Sequence, residues 1–131
     1  MAKTKKVIKT KKKIHRDIHS GYFYVQASFN NTLITATDDN GNVLAISSAG
    51  QLGFKGAKKA TPFAATIIGK NIIEKVSRYG LKEAEIMVSG VGSGRDSAVR
   101  AIITSGIGIN KITDRTPLPH NGCRAKKPRR V

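Results

Sequence analysis

Between Tyr22 and Phe29 apolar and polar side chains alternate, with Phe23, Val25, Ala27 and Phe29 on one face and Tyr22, Tyr24, Gln26 and Ser28 on the other. That period of two predicts a strand buried on one side. Asn30-Asn31 then offers a turn, and Thr32 to Thr37 is rich in β-branched residues that suit a second strand. Asp39-Asn40-Gly41-Asn42 contains Asn-Gly, the strongest short hairpin signal, so Val43 to Ser48 is expected to return as a third strand. Past Pro62 the period lengthens. Ala64, Ile67, Ile68, Ile72, Val76 and Tyr79 recur at helical spacing, while Lys70, Glu74 and Arg78 share the opposite face at i, i+4 steps. Thr61 is placed to cap this helix, Pro62 suits its first turn and Gly80 stops it.

The stretch Glu85 to Gly106 organises the remainder. Ile86, Met87 and Val88 form an unbroken apolar run, the pattern of a strand buried on both faces. Gly90, Gly92 and Gly94 follow, where the backbone can turn sharply or approach another molecule because no Cβ intervenes. A second helix is then expected, capped by Ser93 or Gly94, with Asp96 at the positive end of its dipole, Ala98, Val99, Ile102 and Ile103 as its apolar face, and Gly106 as its end. A last strand, Ile107 to Thr113, places Ile107, Ile109 and, beyond a one-residue slip, Ile112 on one side.

The predicted order is β-β-β-α-β-α-β. Right-handed crossovers set the later strands parallel to the first, so the fold class is α/β: a mixed five-stranded sheet in the order 3-2-1-4-5 with two main helices and basic terminal arms. Residues 1–20 read as a basic arm, 21–119 as a single domain, and 120–131 as a second basic tail beyond Pro117 and Pro119. Ligands of open α/β sheets sit outside the carboxyl ends of the strands, where the Gly90 to Gly94 loop is expected.

Charge changes the picture most. The chain holds 24 Lys and Arg against 8 Asp and Glu. Eight basic residues and no acid fall in residues 1–16, and five basic residues and no acid in 120–131. Basic arms around a nearly balanced domain are the footprint of a nucleic-acid binder. Within the domain, Gly50, Gly53 and Gly56 are interleaved with Lys55, Lys58 and Lys59 just before the first helix, and Arg95 and Arg100 follow the second glycine loop. Two glycine-containing loops that each lead into a helix start, with cations beside them, suit phosphate groups; the same pattern also fits ordinary connections with solvated lysines. Tyr22 and Tyr24 fit either stacking on bases or packing under a helix.

Other chemistries find little support. Gly90-Val91-Gly92-Ser93-Gly94 lacks the spacing of the dinucleotide fingerprint and the Gly-Lys-Ser/Thr of a phosphate loop. The acids Asp38, Asp39, Glu74, Glu83 and Asp96 are scattered over the predicted elements, so no two-metal nuclease centre is expected. His15 and His19 are four apart and His120 and Cys123 three apart, on opposite arms, which makes no four-ligand metal site. We expect no enzyme, no cofactor, no metal and no small-molecule substrate. One cysteine forms no intramolecular disulfide and fits a reducing compartment; no apolar run approaches a membrane span, and no secretory leader is expected.

The phrases VQASFNNTLITATD, SSAGQLGFKGAKKATPFAA, VSGVGSGRDSAVRAI and TDRTPLPHNGCR, in this order and spacing, resemble the bacterial-type ribosomal protein eleven family of the small subunit, from about Gly21 to Arg124. The resemblance implies a structural constituent of the platform. It would bind the central and 3′-terminal regions of the small-subunit ribosomal RNA, lie near messenger RNA at the exit side and neighbour other platform proteins. It implies a cytoplasmic or organellar ribosome as location. The tail RAKKPRRV departs from the family's common RPPKKRRV, keeping the charge without the paired prolines. The expected phosphate contacts are Lys55, Lys58, Lys59, Arg95, Arg100, Arg124, Lys126, Lys127, Arg129 and Arg130. A general DNA-compacting protein is the alternative that the charge alone would allow.

Overall fold

A computed structural model describes residues 17–130. Residues 1–16 of the expected N-terminal arm, His15 among them, lie outside the described residues. Its strands are β1 (Ser20–Ala27), β2 (Thr32–Asp38), β3 (Val43–Ser48), β4 (Glu83–Ser89) and β5 (Gly108–Asp114). Its α-helices are α1 (Pro62–Ser77) and α2 (Arg95–Thr104), and a short 3-10 helix spans Gly56–Ala60. The five strands form one sheet in the order β3-β2-β1-β4-β5. β1 pairs antiparallel with β2 and parallel with β4, which gives the mixed sheet its two halves.

The hairpin between β2 and β3 forms where Asn-Gly stands. Gly41 adopts a φ of 88°, and the Asp38 carboxylate accepts from the side chain and backbone N–H of Asn42 and from the N–H of Asn40. These donors, the Asn42 side chain foremost, hold the Asp38 carboxyl below its ordinary range. The slip expected in the last strand is a bulge: Ala84 faces Ile109 but Glu85 faces Lys111, leaving Asn110 as the extra residue.

Both helices lie on the same side of the sheet. Phe23, Val25, Ile34, Ala36, Ile86 and Val88 form one core with Ile68, Ile72 and Val76 of α1 and Ala98 and Ile102 of α2. The two helices approach closely at Gly69, where an added Cβ would lie 2.5 Å from the Ala101 Cβ. Among the described residues no helix lies over the other side of the sheet, which corrects two expectations. Met87 is half-buried rather than buried, because β4 alternates, with Ala84, Ile86 and Val88 inward. Tyr22 and Tyr24 lie on that other side, beside one another with ring centroids 6.2 Å apart, and among the described residues no helix packs over them, so the packing alternative is not the one observed.

A third correction concerns Phe29, expected inside but 77% exposed. The strand stops two residues before it. Ser28 Oγ accepts from the N–H groups of Asn30 and Asn31, and the Ser28 N–H donates to the Asn31 carbonyl, so the chain turns instead of continuing its ladder.

Candidate nucleic-acid interface

At the carboxyl ends of β1 and β4 several segments are joined by hydrogen bonds. The Gly92 N–H donates to the Ala27 carbonyl at 3.0 Å, which seats the glycine loop on the end of β1. Ser93 Oγ donates to the Ala60 carbonyl at 2.6 Å, which ties the same loop to the end of the 3-10 helix. The Gly90 N–H donates to Thr116 Oγ1 at 3.2 Å, and the Arg115 N–H to the Val88 carbonyl at 2.7 Å, which draws in the chain as it leaves β5. The rim is therefore one connected surface, and the C-terminal tail departs from it.

The glycines serve this closure. A Cβ at Gly90 would collide with the Ala27 carbonyl, one at Gly92 with the Ser28 carbonyl, and one at Gly94 would lie 2.5 Å from Thr32 Oγ1 and 3.0 Å from the Ala65 Cβ. The close approach allowed by the missing side chains is thus to the protein's own backbone and core. Gly94 is the N-cap of α2 and supplies no side-chain cap; the Ser93 hydroxyl, the other expected cap, is spent on Ala60.

Lys55, Lys58 and Lys59 lie on the segment that the Ser93–Ala60 hydrogen bond draws to this rim. Lys55 and Lys58 are exposed, Lys59 half-buried, and the last two occupy the final turn of the 3-10 helix. Thr61 fixes that turn to α1: its hydroxyl donates to the Lys58 carbonyl at 2.8 Å and accepts from the Ala64 N–H at 3.3 Å.

Arg95 occupies a different role in the geometry. Its Nη1 donates to the Gly90 carbonyl at 3.1 Å, and its Nη2 pairs with Asp114 Oδ2 at 2.6 Å. The guanidinium thereby locks the glycine loop to the end of β5 while remaining partly open to solvent. Asp114 accepts in turn from the hydroxyl and N–H of Thr116. These two donors first, and Arg95 after them, hold the Asp114 carboxyl well below the usual carboxylate range.

Arg100 is not brought to the rim. It is exposed on α2 and, with Lys70, Glu74, Ser97 and Thr104, lines a groove of about 570 Å³ between the two helices. Arg124, Lys126, Lys127, Arg129 and Arg130 are exposed along the irregular tail.

Several rim residues carried no signal of their own in the sequence. Arg115 is exposed, with Nη1 3.3 Å from the Met87 sulfur. Phe63, in the first turn of α1, is 69% exposed, and Val91 in the glycine loop 64%. Their exposure follows from where the segments meet, which spacing along the chain does not report. Among the described residues no group of three or more His, Cys, Asp or Glu could hold a metal ion, and no helix is long and apolar enough to cross a membrane.

A mixed sheet with helices on one side and cations on loops at one end defines a small basic α/β protein. The family model described as Ribosomal protein S11 matches residues 21–130. The chain is 56% identical over 120 residues to the small ribosomal subunit protein uS11c of Mesostigma viride, covering 92% of each chain. It is 52% identical over 122 residues to the small ribosomal subunit protein uS11 of Borreliella burgdorferi (strain ZS7), covering 93% of this chain and 94% of the relative. The uS11 of Solibacter usitatus (strain Ellin6076) is 52% identical over 121 residues. The chain belongs to the ribosomal protein S11 family.

Proposed function

We propose that this protein is a structural constituent of the small ribosomal subunit that binds ribosomal RNA in the platform, near the messenger RNA exit path and beside neighbouring platform proteins. Its work is scaffolding rather than catalysis, in a bacterial or organellar ribosome. Family membership supports the particle. The observation that carries RNA contact is the joining of the lysine turn, the glycine loop and the root of the basic tail at one end of the sheet. A surface that holds cations on several short segments can follow an irregular phosphate path and offset the repulsion between packed RNA helices.

Within this reading Lys55, Lys58, Lys59 and the tail residues Arg124, Lys126, Lys127, Arg129 and Arg130 contact phosphates. Arg100 reaches a separate strand from the helical side. Arg95 chiefly positions the loop through Asp114, and its solvent-facing edge meets the RNA.

The test is replacement of Lys55, Lys58 and Lys59 by Ala, with binding to small-subunit ribosomal RNA transcripts followed as salt is raised. Removing one lysine from a phosphate should flatten the slope of log K against log salt by about 0.7 to 0.9, so the slope of the triple variant should fall by about 2 to 3. An unchanged slope removes the lysine turn from the interface.

A further inference from the structure

The turn between β1 and β2 presents an aromatic ring with no evident duty in the fold. Phe29 is 77% exposed, and its neighbours Ser28 and Asn30 are exposed polar residues. Burial is what ordinarily stabilises a phenylalanine in a protein, and here it is absent. Phe63, the other exposed ring on this side, differs in that it meets Phe54 edge to face at 6.3 Å between centroids.

The base that carries Phe29 is rigid on both sides. From within, Ser28 Oγ holds the N–H groups of Asn30 and Asn31, and Asn31 Oδ1 accepts from the Thr32 N–H at 2.9 Å. From the flank, the Gly92 N–H binds the Ala27 carbonyl, and Gly92 lies so close to Ser28 that no side chain fits between them. Phe29 and Val91 each stand one residue from this contact, and both are exposed. The glycine loop continues through Ser93 to the lysine-bearing 3-10 helix. The result is an exposed aromatic ring on a hydrogen-bonded turn, with an exposed valine on the adjoining loop and cations further along it.

Paired bases in an RNA helix bury their faces against each other and leave none for an inserted ring. Unpaired bases in loops and bulges do offer a face, and aromatic side chains beside basic grooves take them by stacking. We propose that Phe29, with Val91 on the adjoining loop, is a stacking site for an unpaired base, so that the rim recognises a loop or bulge in RNA rather than a continuous helix. This inference rests on the RNA-binding function proposed above and adds to it the kind of RNA that the rim accepts.

The chain contains no tryptophan, so Phe29→Trp introduces a single indole reporter at the site. Phe29→Trp, Phe29→Leu and Phe29→Ala are compared for binding to small-subunit ribosomal RNA transcripts across a salt series. All three changes are on an exposed turn, and far-UV circular dichroism checks that the fold is intact. The Trp variant should bind as the unaltered chain does, with its fluorescence quenched by the transcript and not by a fully paired duplex of equal length. The Leu and Ala variants should each bind about 5- to 150-fold more weakly, the loss expected for one stacked base, with the salt slope unchanged because every phosphate-binding cation is still in place.

Retained affinity in Phe29→Leu would overturn the proposal, since an aliphatic contact would then suffice. So would a bound transcript that leaves the Trp fluorescence unquenched. Both leave the RNA-binding function standing. Failure of the unaltered chain to bind any transcript would strike the function itself and the stacking site with it.

Discussion

Gly90→Ala should damage the fold more than the same change at Gly106, although both glycines occupy the left-handed region, with φ of 94° and 88°. At Gly106 an added Cβ has no heavy atom within 4 Å. The cost there is conformational alone, about 1–2 kcal/mol. At Gly90 the Cβ would also drive into the carbonyl of Ala27, lying only 2.9 Å from its carbon. That carbonyl belongs to the central strand and already accepts the Gly92 N–H, so it has little freedom to retreat. Overpacking of this kind adds about 1–3 kcal/mol, which brings Gly90→Ala to about 2–5 kcal/mol. A kilocalorie moves the melting temperature of a domain this size by about 3–5 °C, so Gly106→Ala should melt about 3–10 °C lower and Gly90→Ala about 6–25 °C lower. The assay is unfolding of the purified chain by heat and by urea, followed by far-UV circular dichroism. Equal melting temperatures for the two variants would refute the reasoning, because they would show that the loop is not seated on β1.

Two further expectations concern local contacts. Thr61→Ala removes both the cap on α1 and the hydroxyl bond to Lys58, and should lower stability by about 1 kcal/mol, seen as a lower urea midpoint with an unchanged m-value; a midpoint equal to that of the unaltered chain would contradict the capping role. Asp114 has its folded pKa depressed, so the stability it contributes is complete above the ordinary carboxylate value of about 3.9 and is lost as pH falls from there toward the lower folded value. Asp114→Asn should therefore flatten the fall of the urea midpoint below about pH 4, and an acid limb as steep as before would show that Asp114 does not report on folding.

Much of the architecture is legible because each element buries one face only. Period two in β1, Asn-Gly at the hairpin, period 3.6 in α1 and the bulged alternation of β5 each correspond to an observed element. Reading fails where the deciding partner is distant in sequence or where a local side chain intervenes. Phe29 continues the alternation of β1, yet the Ser28 hydroxyl takes the N–H groups that would have continued the ladder. Met87 makes β4 look covered on both sides, although Glu83 and Glu85 flanking Ala84 already mark an alternating strand. For Arg95 the sequence shows a cation after a glycine loop; its ion pair with Asp114, nineteen residues on, depends on β4 and β5 lying side by side.

The glycine loop shows most clearly how self-packing and recognition divide at this rim. A loop rich in glycine beside cations suggests backbone laid against a phosphate, but here the missing side chains admit Ala27, Ser28, Thr32 and Ala65. Under the proposed function, phosphate attraction would fall to groups that project outward, such as Lys55 and Lys58, whose exposed side chains contribute little to the core. On that reading stability and affinity would reside in different atoms of the same segments: glycine substitutions should act through the seating of the loop, and lysine substitutions through the charge beside it. Arg95 is where the two meet, since its guanidinium closes the loop onto β5 and still faces solvent, so replacing it should disturb both at once.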